Sequence, residues 1–427
     1  MSQGDLFQRV LLLTVLVIGL SRVLGMAGRR IRQPLVIAEI LAGVLLGPSV
    51  LGLLAPAAEA WLVPRQVTPM LYGISQLGLL LYLFVLGIEF RLPSRARALP
   101  QSVLVAVSGG VVPCLAGMGL VMLTRGTIIP FEAPGAQFRN ALFVGAALSV
   151  TALPVLARII DDLGIAGTPI AASALLAGSS ADVLAWVLLA GALALMQGSA
   201  TALLLAVLGA VLAATFSLAV ARPLLSRLDR DQGPIRSGSW ALRFCLLGFL
   251  AWTTDAAGIS PVFGAFLAGL SMPRDRVSQS IADSLGGPSR VLLLPVFFAY
   301  SGLQTRLDML NSMSILTATA VLVLVASVAK GVACTVAARL VGWTDREAVA
   351  LGALLNARGL VELVLINIAL QRGIIGHTAF SMLVVVAVVT TVSAGPVAAL
   401  ALDLRRPARA LAPAPAAQAL VTSGEAG

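Results

Sequence analysis

Charged residues are scarce in this chain, and lysine is almost missing. Asp, Glu, Lys and Arg make up 11% of the 427 residues, hydrophobic residues make up 59%, and the mean hydropathy is +0.98. Soluble domains are about one-quarter charged, so this composition excludes a soluble catalytic or nucleotide-binding domain. Since one membrane crossing takes about 20 apolar residues, the length leaves room for little besides membrane spans.

Cysteine and histidine are too few to build a chemical centre. Cys114, Cys245 and Cys334 lie in apolar sequence without CxxC spacing, so neither a disulfide framework nor a metal centre is indicated. With the single histidine, His377, no nucleophile, base and orienting group can be assembled, so we expect no enzyme and no cofactor. The formal charge of +10 does not predict a nucleic-acid partner, because loop arginines in a membrane protein set its orientation.

The chain is rich in apolar runs, which are separated by breaks containing proline, glycine and arginine. They predict an all-α polytopic protein in the lipid bilayer, with about thirteen transmembrane helices. The predicted spans are residues 6–27, 35–55, 70–90, 101–124, 141–160, 168–196, 200–221, 241–257, 258–273, 289–304, 313–341, 347–371 and 377–401. With the N-terminus outside and the C-terminus inside, most loop arginines face the cytoplasm, as the positive-inside rule requires. We expect this protein in a bacterial inner membrane.

Short motifs of the first half recur in the second half in the same order. The pairs are 41–43 with 267–269 (Leu-Ala-Gly in both), 87–92 with 302–307, and 156–164 with 365–373. Each second copy lies in a predicted helix that runs opposite to the helix of its first copy. This pattern is typical of an inverted-topology repeat, which in transporters places the substrate site near the midplane between the halves.

Isolated charges lie inside several predicted spans. Lys330 is the only lysine and belongs to the eleventh span, whereas Asp182 is the only acid of the sixth. Ionisable groups at membrane depth are expensive and usually mark an ion path. Burial disfavours a charged carboxylate and a nearby ammonium favours it, so a proton and a cation can compete for Asp182 near neutral pH. Glu39, in the second span, is interpreted as a scaffold residue that caps or pairs with another helix.

Two spans contain helix breakers near their centres. Pro154 interrupts the fifth span, and Gly359 interrupts the twelfth between Arg358 and Glu362. Broken helices free N–H and C=O groups, which are tolerated at membrane depth only where protein or a water-filled cavity provides partners. Half-helix ends carry partial charges, which Lys330, Arg358 and Glu362 can compensate. Arg358 and Glu362 also stand at i, i+4, so a purely structural ion pair is an open alternative.

Oxygen atoms near the first break suit a small alkali cation. Ser149 and Thr151 flank the break, and Ser180 precedes Asp182 by two residues. Hard cations accept carboxylate, carbonyl and similar oxygen ligands. We therefore predict a monovalent-cation and proton site at Asp182, with Thr151, Ser149 and Ser180 as further ligands.

Longer motifs resemble the monovalent cation:proton antiporter superfamily. They are residues 33–48 (QPLVIAEILAGVLLGP), 149–158 (SVTALPVLAR), 264–269 (GAFLAG), 294–299 (LPVFFA) and 356–363 (NARGLVEL). The similarity extends from Arg32 to Leu400 and is to the branch that includes Kef-type potassium-efflux antiporters and plant cation/H⁺ exchangers. It implies a homodimer that exchanges Na⁺ or K⁺ for protons by alternating access, with a role in pH homeostasis.

The resemblance also implies a scaffold of helices 1–3 and 8–10 and a mobile core of helices 4–6 and 11–13. The fifth and twelfth helices are expected to cross as broken pairs beside the acid of the sixth. The expected boundaries are 1–100 and 241–309 for the scaffold, 101–198 and 310–402 for the core, 199–240 for linker helix 7 and a cytoplasmic loop, and 403–427 for a short disordered tail. We expect no nucleotide-binding regulatory domain in this chain.

One position departs from the family pattern. Members commonly carry two polar residues in the sixth helix, and in Asp-Asp members the first is the expected partner of the eleventh-helix lysine; here that position is Ala181. Lys330 then either pairs with Asp182 or stays unpaired and neutral. Electroneutral exchange, electrogenic exchange and a non-transporting sensor or assembly module are all open alternatives. A uniport- or channel-like cation pathway is a further alternative, although pores more often show carbonyl rings or repeated acids.

Overall fold

The computed structural model describes residues 3–30, 33–89, 99–131, 137–178, 181, 200–228, 237–257 and 260–404. Nearly all of these residues are helical, because a helix satisfies its own backbone hydrogen bonds inside a bilayer. Within the described ranges the one extended pairing is an isolated bridge between Phe131 and Ile375. The predicted all-α fold is confirmed.

The helices are numbered in chain order. The first half contains α1 (Gln3–Arg30), α2 (Leu35–Leu46), α3 (Leu51–Leu54), α4 (Pro56–Leu62), α5 (Val67–Glu89), α6 (Leu99–Leu123), α7 (Gln137–Ser149), α8 (Leu153–Asp162) and α9 (Pro169–Gly178). The second half contains α10 (Ala200–Thr215), α11 (Arg222–Leu228), α12 (Ser237–Ala256), α13 (Pro261–Leu270), α14 (Arg276–Pro288), α15 (Leu294–Leu303), α16 (Met313–Leu340), α17 (Asp345–Leu355), α18 (Leu360–Gln371) and α19 (His377–Ala401). Phe216–Ala221 and Ser289–Leu293 are π-helical turns, and Leu307–Met309 is a 3₁₀ turn.

Helix length separates complete spans from partial ones. In the part of the chain that the structure describes, 8 helical segments are long and apolar enough to cross a membrane. The 10–17-residue apolar helices Pro169–Gly178, Pro261–Leu270 and Val361–Gln371 are shorter. At about 1.5 Å per residue, a ten-residue helix covers only half of the hydrocarbon core.

The predicted tenth span begins too late. Hydropathy places it at 289–304, whereas continuous helix begins at Arg276. The carboxylate of Asp275 caps this start by accepting a hydrogen bond from the backbone N–H of Ser278 at 2.7 Å. Helix α14 is amphipathic, so the apolar pattern alone misses its first part. A π-helical turn then precedes Pro295, whose ring nitrogen has no hydrogen to donate.

Both predicted helix breaks are present. The fifth span consists of α7 and α8, with residues 150–152 unwound between them. The twelfth consists of α17 and α18, with residues 356–359 unwound. The prediction of two broken helices is confirmed, and each predicted single span is in fact two half-helices.

Glycine allows α2 and α15 to pack with their backbones in contact. A Cβ atom at Gly43 would overlap the carbonyl oxygen of Ala299, and one at Gly302 would overlap the carbonyl oxygen of Ile40. Both glycines belong to repeated motifs. The first copy of the Leu-Ala-Gly motif (41–43) therefore packs on the second copy of the other motif (302–307).

The same contact occurs between α5 and α13. A Cβ atom at Gly269 would overlap the carbonyl oxygen of Phe84, and one at Gly87 would lie 2.5 Å from the carbonyl oxygen of Phe266. Here the second copy of the Leu-Ala-Gly motif, which contains Gly269, packs on the first copy of the other motif, which contains Gly87. This crosswise exchange of partners is what two structurally equivalent repeats require.

Candidate functional site: the crossing of the broken helices

The two helix breaks lie against each other. The backbone N–H of Ala152 donates to the carbonyl oxygen of Ala357 at 3.0 Å, and the hydroxyl of Thr151 donates to the carbonyl oxygen of Leu355 at 3.3 Å. Backbone groups freed by one break are thus satisfied by the other, as membrane depth demands. We call residues 149–152 and 355–359 the helix crossing.

Lys330 lies beside the end of α7. The residue is 1% exposed, and its ammonium group donates to the carbonyl oxygens of Ser149 and Val150, both at 2.6 Å. The last four carbonyl groups of a helix have no partner within the helix, and their partial negative charge attracts cations. Lys330 therefore supplies hydrogen bonds and positive charge to this half-helix end.

Arg358, from the other break, binds the same helix end. Its Nη1 donates to the carbonyl oxygen of Ala147 at 2.9 Å and its Nη2 to that of Leu148 at 2.6 Å. Its backbone is held by the hydroxyl of Thr391, which accepts from the Arg358 N–H at 2.9 Å and donates to the Arg358 carbonyl at 2.8 Å. Two buried cations thus contact four consecutive carbonyl oxygens, and their positive charge disfavours a metal ion at these oxygens in this conformation.

Glu362 lies in the first turn of α18, where a helix N-terminus favours negative charge. Its Oε1 is 3.4 Å from Nη1 of Arg358, and both side chains are 0% exposed. The i, i+4 pair is therefore present. However, Glu362 Oε2, Arg358 Nε and Asn356 Oδ1 have no hydrogen-bond partner among the described residues. Buried polar atoms are normally hydrogen-bonded, so these three atoms are available for a further partner. A pair with a purely structural role would not leave them unsatisfied.

Three charged side chains meet at the crossing. Lys330 and Arg358 are bases, and Glu362 is an acid. All three are buried, and a buried charge is stable only with a partner of opposite sign. A carboxylate in the neighbourhood would interact favourably with both bases.

The start of the sixth predicted span belongs to the same buried cluster as the crossing. Ala174 and Ala177 of α9 belong to the same buried cluster as Ala152 and Ala357. Ala181, further along the same span, is helical and 5% exposed. The structure therefore places the start of this span in the same packed core as the two helix breaks.

Two of the four predicted ligands are described, and both are buried. The hydroxyl of Ser149 donates to the carbonyl oxygen of Ala146 at 2.8 Å, and that of Thr151 to a carbonyl of α17. A hydroxyl that donates one hydrogen bond keeps its acceptor lone pairs, so both oxygens can still take an ion. Asp182 and Ser180 lie outside the described residues.

A polar contact between α15 and α18 was missed by the sequence analysis. Nδ2 of Asn367 donates to Oγ of Ser301 at 2.8 Å and to the carbonyl oxygen of Leu363 at 2.8 Å. Both polar side chains are buried, at 2% and 0% exposure. An asparagine inside an apolar run was the available signal, but its partner is 66 positions away and no pattern identifies it.

A cavity of about 610 Å³ opens at the predicted outward end. Among the residues that line it are Glu59, Arg65, Tyr300, Arg306 and His377. His377 is exposed there. No motif indicated this cavity, because its walls come from chain segments far apart in sequence.

The comparisons with known proteins agree with this architecture. The family model described as "Sodium/hydrogen exchanger, transmembrane" matches residues 12–403. The Na⁺/H⁺ antiporter NhaS4 of Synechocystis sp. is 34% identical over 395 residues, which cover 90% of this chain and 94% of that protein. Cation/H⁺ antiporter 20 of Arabidopsis thaliana is 35% identical over 414 residues, 91% of this chain and 48% of that protein. The chain thus spans about half the length of this plant relative.

A solved structure shares the fold. The sodium proton antiporter MjNhaP1 from Methanocaldococcus jannaschii has a TM-score of 0.62 at 14% sequence identity, covering 94% of this chain and 99% of that one. The relatives favour cation:proton antiport over a channel-like pathway or a non-transporting module. By its sequence from 12 to 403, the chain belongs to the sodium/hydrogen exchanger family of monovalent cation:proton antiporters, which are secondary transporters and not enzymes.

Proposed function

We propose that this protein exchanges Na⁺ or K⁺ for protons at the carboxylate of Asp182, by alternating access. The observation that carries the proposal is the helix crossing, where the buried hydroxyl groups of Ser149 and Thr151 each donate one hydrogen bond and keep their acceptor lone pairs. Asp182 follows Ala181 in the span whose start belongs to the same buried cluster as this crossing. Asp182 would add a carboxylate to these neutral oxygens.

A single carboxylate supports competition between a proton and a cation. A proton or a monovalent cation neutralises the one negative charge of Asp182, so each can replace the other, whereas both together would leave an uncompensated positive charge. Thr151, Ser149 and Ser180 are the proposed additional oxygen ligands, which a hard cation accepts. Lys330, Arg358 and Glu362 hold the broken helices in place.

The proposed transport cycle moves a core against a scaffold. We assign residues 101–198 and 310–402 to the core, 1–100 and 241–309 to the scaffold, and 199–240 to the linker, with residues 403–427 as a tail. The protein is proposed to act as a homodimer in a bacterial inner membrane and to serve pH homeostasis. Relatives named as a Na⁺/H⁺ antiporter, a K⁺/H⁺ antiporter and a Na⁺/H⁺-K⁺ antiporter support both candidate cations.

The test is proton transport in proteoliposomes that contain a pH-sensitive dye. A proton gradient is imposed, and Na⁺, K⁺ or an impermeant organic cation is added to wild type and to Asp182→Asn. We expect a metal cation to collapse the gradient in wild type and not in the variant. Asp283→Asn is the matched control, because it removes an exposed carboxylate from α14 and should leave exchange unchanged.

The outcomes are distinct. Failure of both metal cations to move protons in wild type, across a range of pH, would overturn the antiport proposal. Exchange that persists at the wild-type rate in Asp182→Asn would overturn only the assignment of Asp182. The ion that responds in wild type identifies the transported cation.

A further inference from the structure

Glu39 is a buried acid that does not belong to the proposed transport site. It lies in the apolar helix α2 and is 3% exposed. Within the described part of the chain no hydrogen bond or ion pair of its carboxyl group is present, and its role in the scaffold stays a prediction. A carboxylate at this depth without a partner is costly. A carboxyl group in such a place can act by taking up and releasing a proton.

The helices around Glu39 bring few charges. Helix α1 contributes Arg22, which acts on Glu39 electrostatically without forming an ion pair. Helix α15 carries no charged residue, and its one titratable group is Tyr300 near its other end. At the helix crossing, Arg358 and Glu362 are engaged with each other. Arg22 is thus the cation that can favour ionisation of Glu39.

The start of α2 lies against the mobile side of the molecule. A Cβ atom at Gly359, in the second break, would stand 3.9 Å from Cγ1 of Val36, which is three residues before Glu39 on α2. The amide of Gln33 donates to the carbonyl oxygen of Val392 on α19 at 3.4 Å. Residues three apart share one face of a helix, so Glu39 lies one turn deeper on the face that meets the crossing.

We propose that Glu39 is a proton-relay residue between the transport site and the inner aqueous space. Glu39 releases its proton to water on the inner side, then accepts the proton that an entering cation displaces from the core carboxylate. Only a proton moves, from one carboxyl oxygen to the other, directly or through water. The inference rests on the proposed exchange and adds to it a group on the scaffold.

The experiment measures exchange against pH for Glu39→Gln, Glu39→Asp and Arg22→Gln in the dye-loaded proteoliposomes. We expect Glu39→Gln to slow exchange by about tenfold or more and to flatten its pH profile, and Glu39→Asp to restore a pH-dependent profile. Arg22→Gln should move the profile to higher pH, because the carboxyl group then keeps its proton longer. Glu59→Gln, which removes an acid from α4 at the other end of the bundle, should match wild type.

An independent measurement covers variants with low activity. Infrared difference spectra of the wild-type protein at low and high pH should contain a protonated-carboxyl band that Glu39→Gln lacks and Asp182→Asn retains. An unchanged rate and pH profile in Glu39→Gln, or the same infrared bands in that variant as in wild type, would overturn the relay alone. Loss of all exchange in wild type would instead overturn the proposed function and the relay with it.

Discussion

At the scale of single residues, the lone lysine of this chain binds the end of a broken helix. Lys330 binds two carbonyl oxygens at the end of α7, 180 and 181 positions away, and Arg358 binds the two before them. Backbone carbonyls freed by a broken helix are acceptors that membrane lipid cannot satisfy. Long cationic side chains with several donors are suited to this position.

The role of Lys330 predicts a loss of stability when its charge is removed. Lys330→Met keeps the apolar stem but leaves the carbonyl oxygens of Ser149 and Val150 without donors. We expect destabilisation of about 2–5 kcal/mol, visible as a lower melting temperature in detergent, together with slower exchange. Leu324→Met, on the exposed side of the same helix, is the control and should melt like wild type. An unchanged melting temperature in Lys330→Met would contradict the capping role.

At the scale of helices, the sequence repeat becomes a repeat of close contacts. Helices α2 and α15 meet at Gly43 and Gly302, and α5 and α13 meet at Gly87 and Gly269. Within a membrane, small residues at such interfaces allow close van der Waals packing in place of a hydrophobic driving force. The same geometry therefore joins the two halves of the chain twice.

This packing predicts opposite effects of one substitution at two glycines. In Gly302→Ala the new methyl group would overlap the carbonyl oxygen of Ile40, so α2 and α15 must separate. We expect a loss of at least about 1–3 kcal/mol. Gly248→Ala, in open space on α12, should be neutral or gain up to about 1 kcal/mol from helix propensity. Thermal unfolding of the two purified variants measures this difference. Equal melting temperatures would show that the contact between α2 and α15 tolerates a Cβ atom.

At the scale of the whole molecule, the number of groups that bind a proton or a cation sets the net charge moved across the membrane in each transport cycle. Lys330 and Arg358 are held by backbone carbonyls, and the residue before Asp182 is Ala181. In the proposed site, Asp182 is then the single carboxylate, which carries either one proton or one monovalent cation. The core would cross the membrane field with the same net charge in both directions.

This charge count predicts electroneutral exchange. In proteoliposomes whose membrane potential is clamped with potassium and valinomycin, the rate of Na⁺-driven proton movement should be the same at zero and at inside-negative potential. Moving one net charge would otherwise couple the rate to about 2.3 kcal/mol per 100 mV. A rate that changes several-fold with the clamped potential would show that a second charge moves with the ion.

The sequence was sufficient for the parts of the fold that depend on neighbours along the chain. Apolar runs predicted the helices, and Pro154 and Gly359 predicted the two breaks because each residue acts on its own backbone. The amphipathic start at Arg276 was missed, since its apolar content is low when averaged along the helix. The hydrogen bond between Asn367 and Ser301 was missed for a different reason, because it joins two helices.

By itself, therefore, the sequence determined the membrane-protein class, the broken spans, the repeat and the family, all of which follow from composition, periodicity and local backbone chemistry. The packing of the helices, in contrast, is what makes the two breaks hydrogen-bond to each other, brings Lys330 and Arg358 to the same helix end, and buries Glu39. These are properties of contacts between helices far apart in the chain. Their distances depend on how the helices pack, which no single segment specifies.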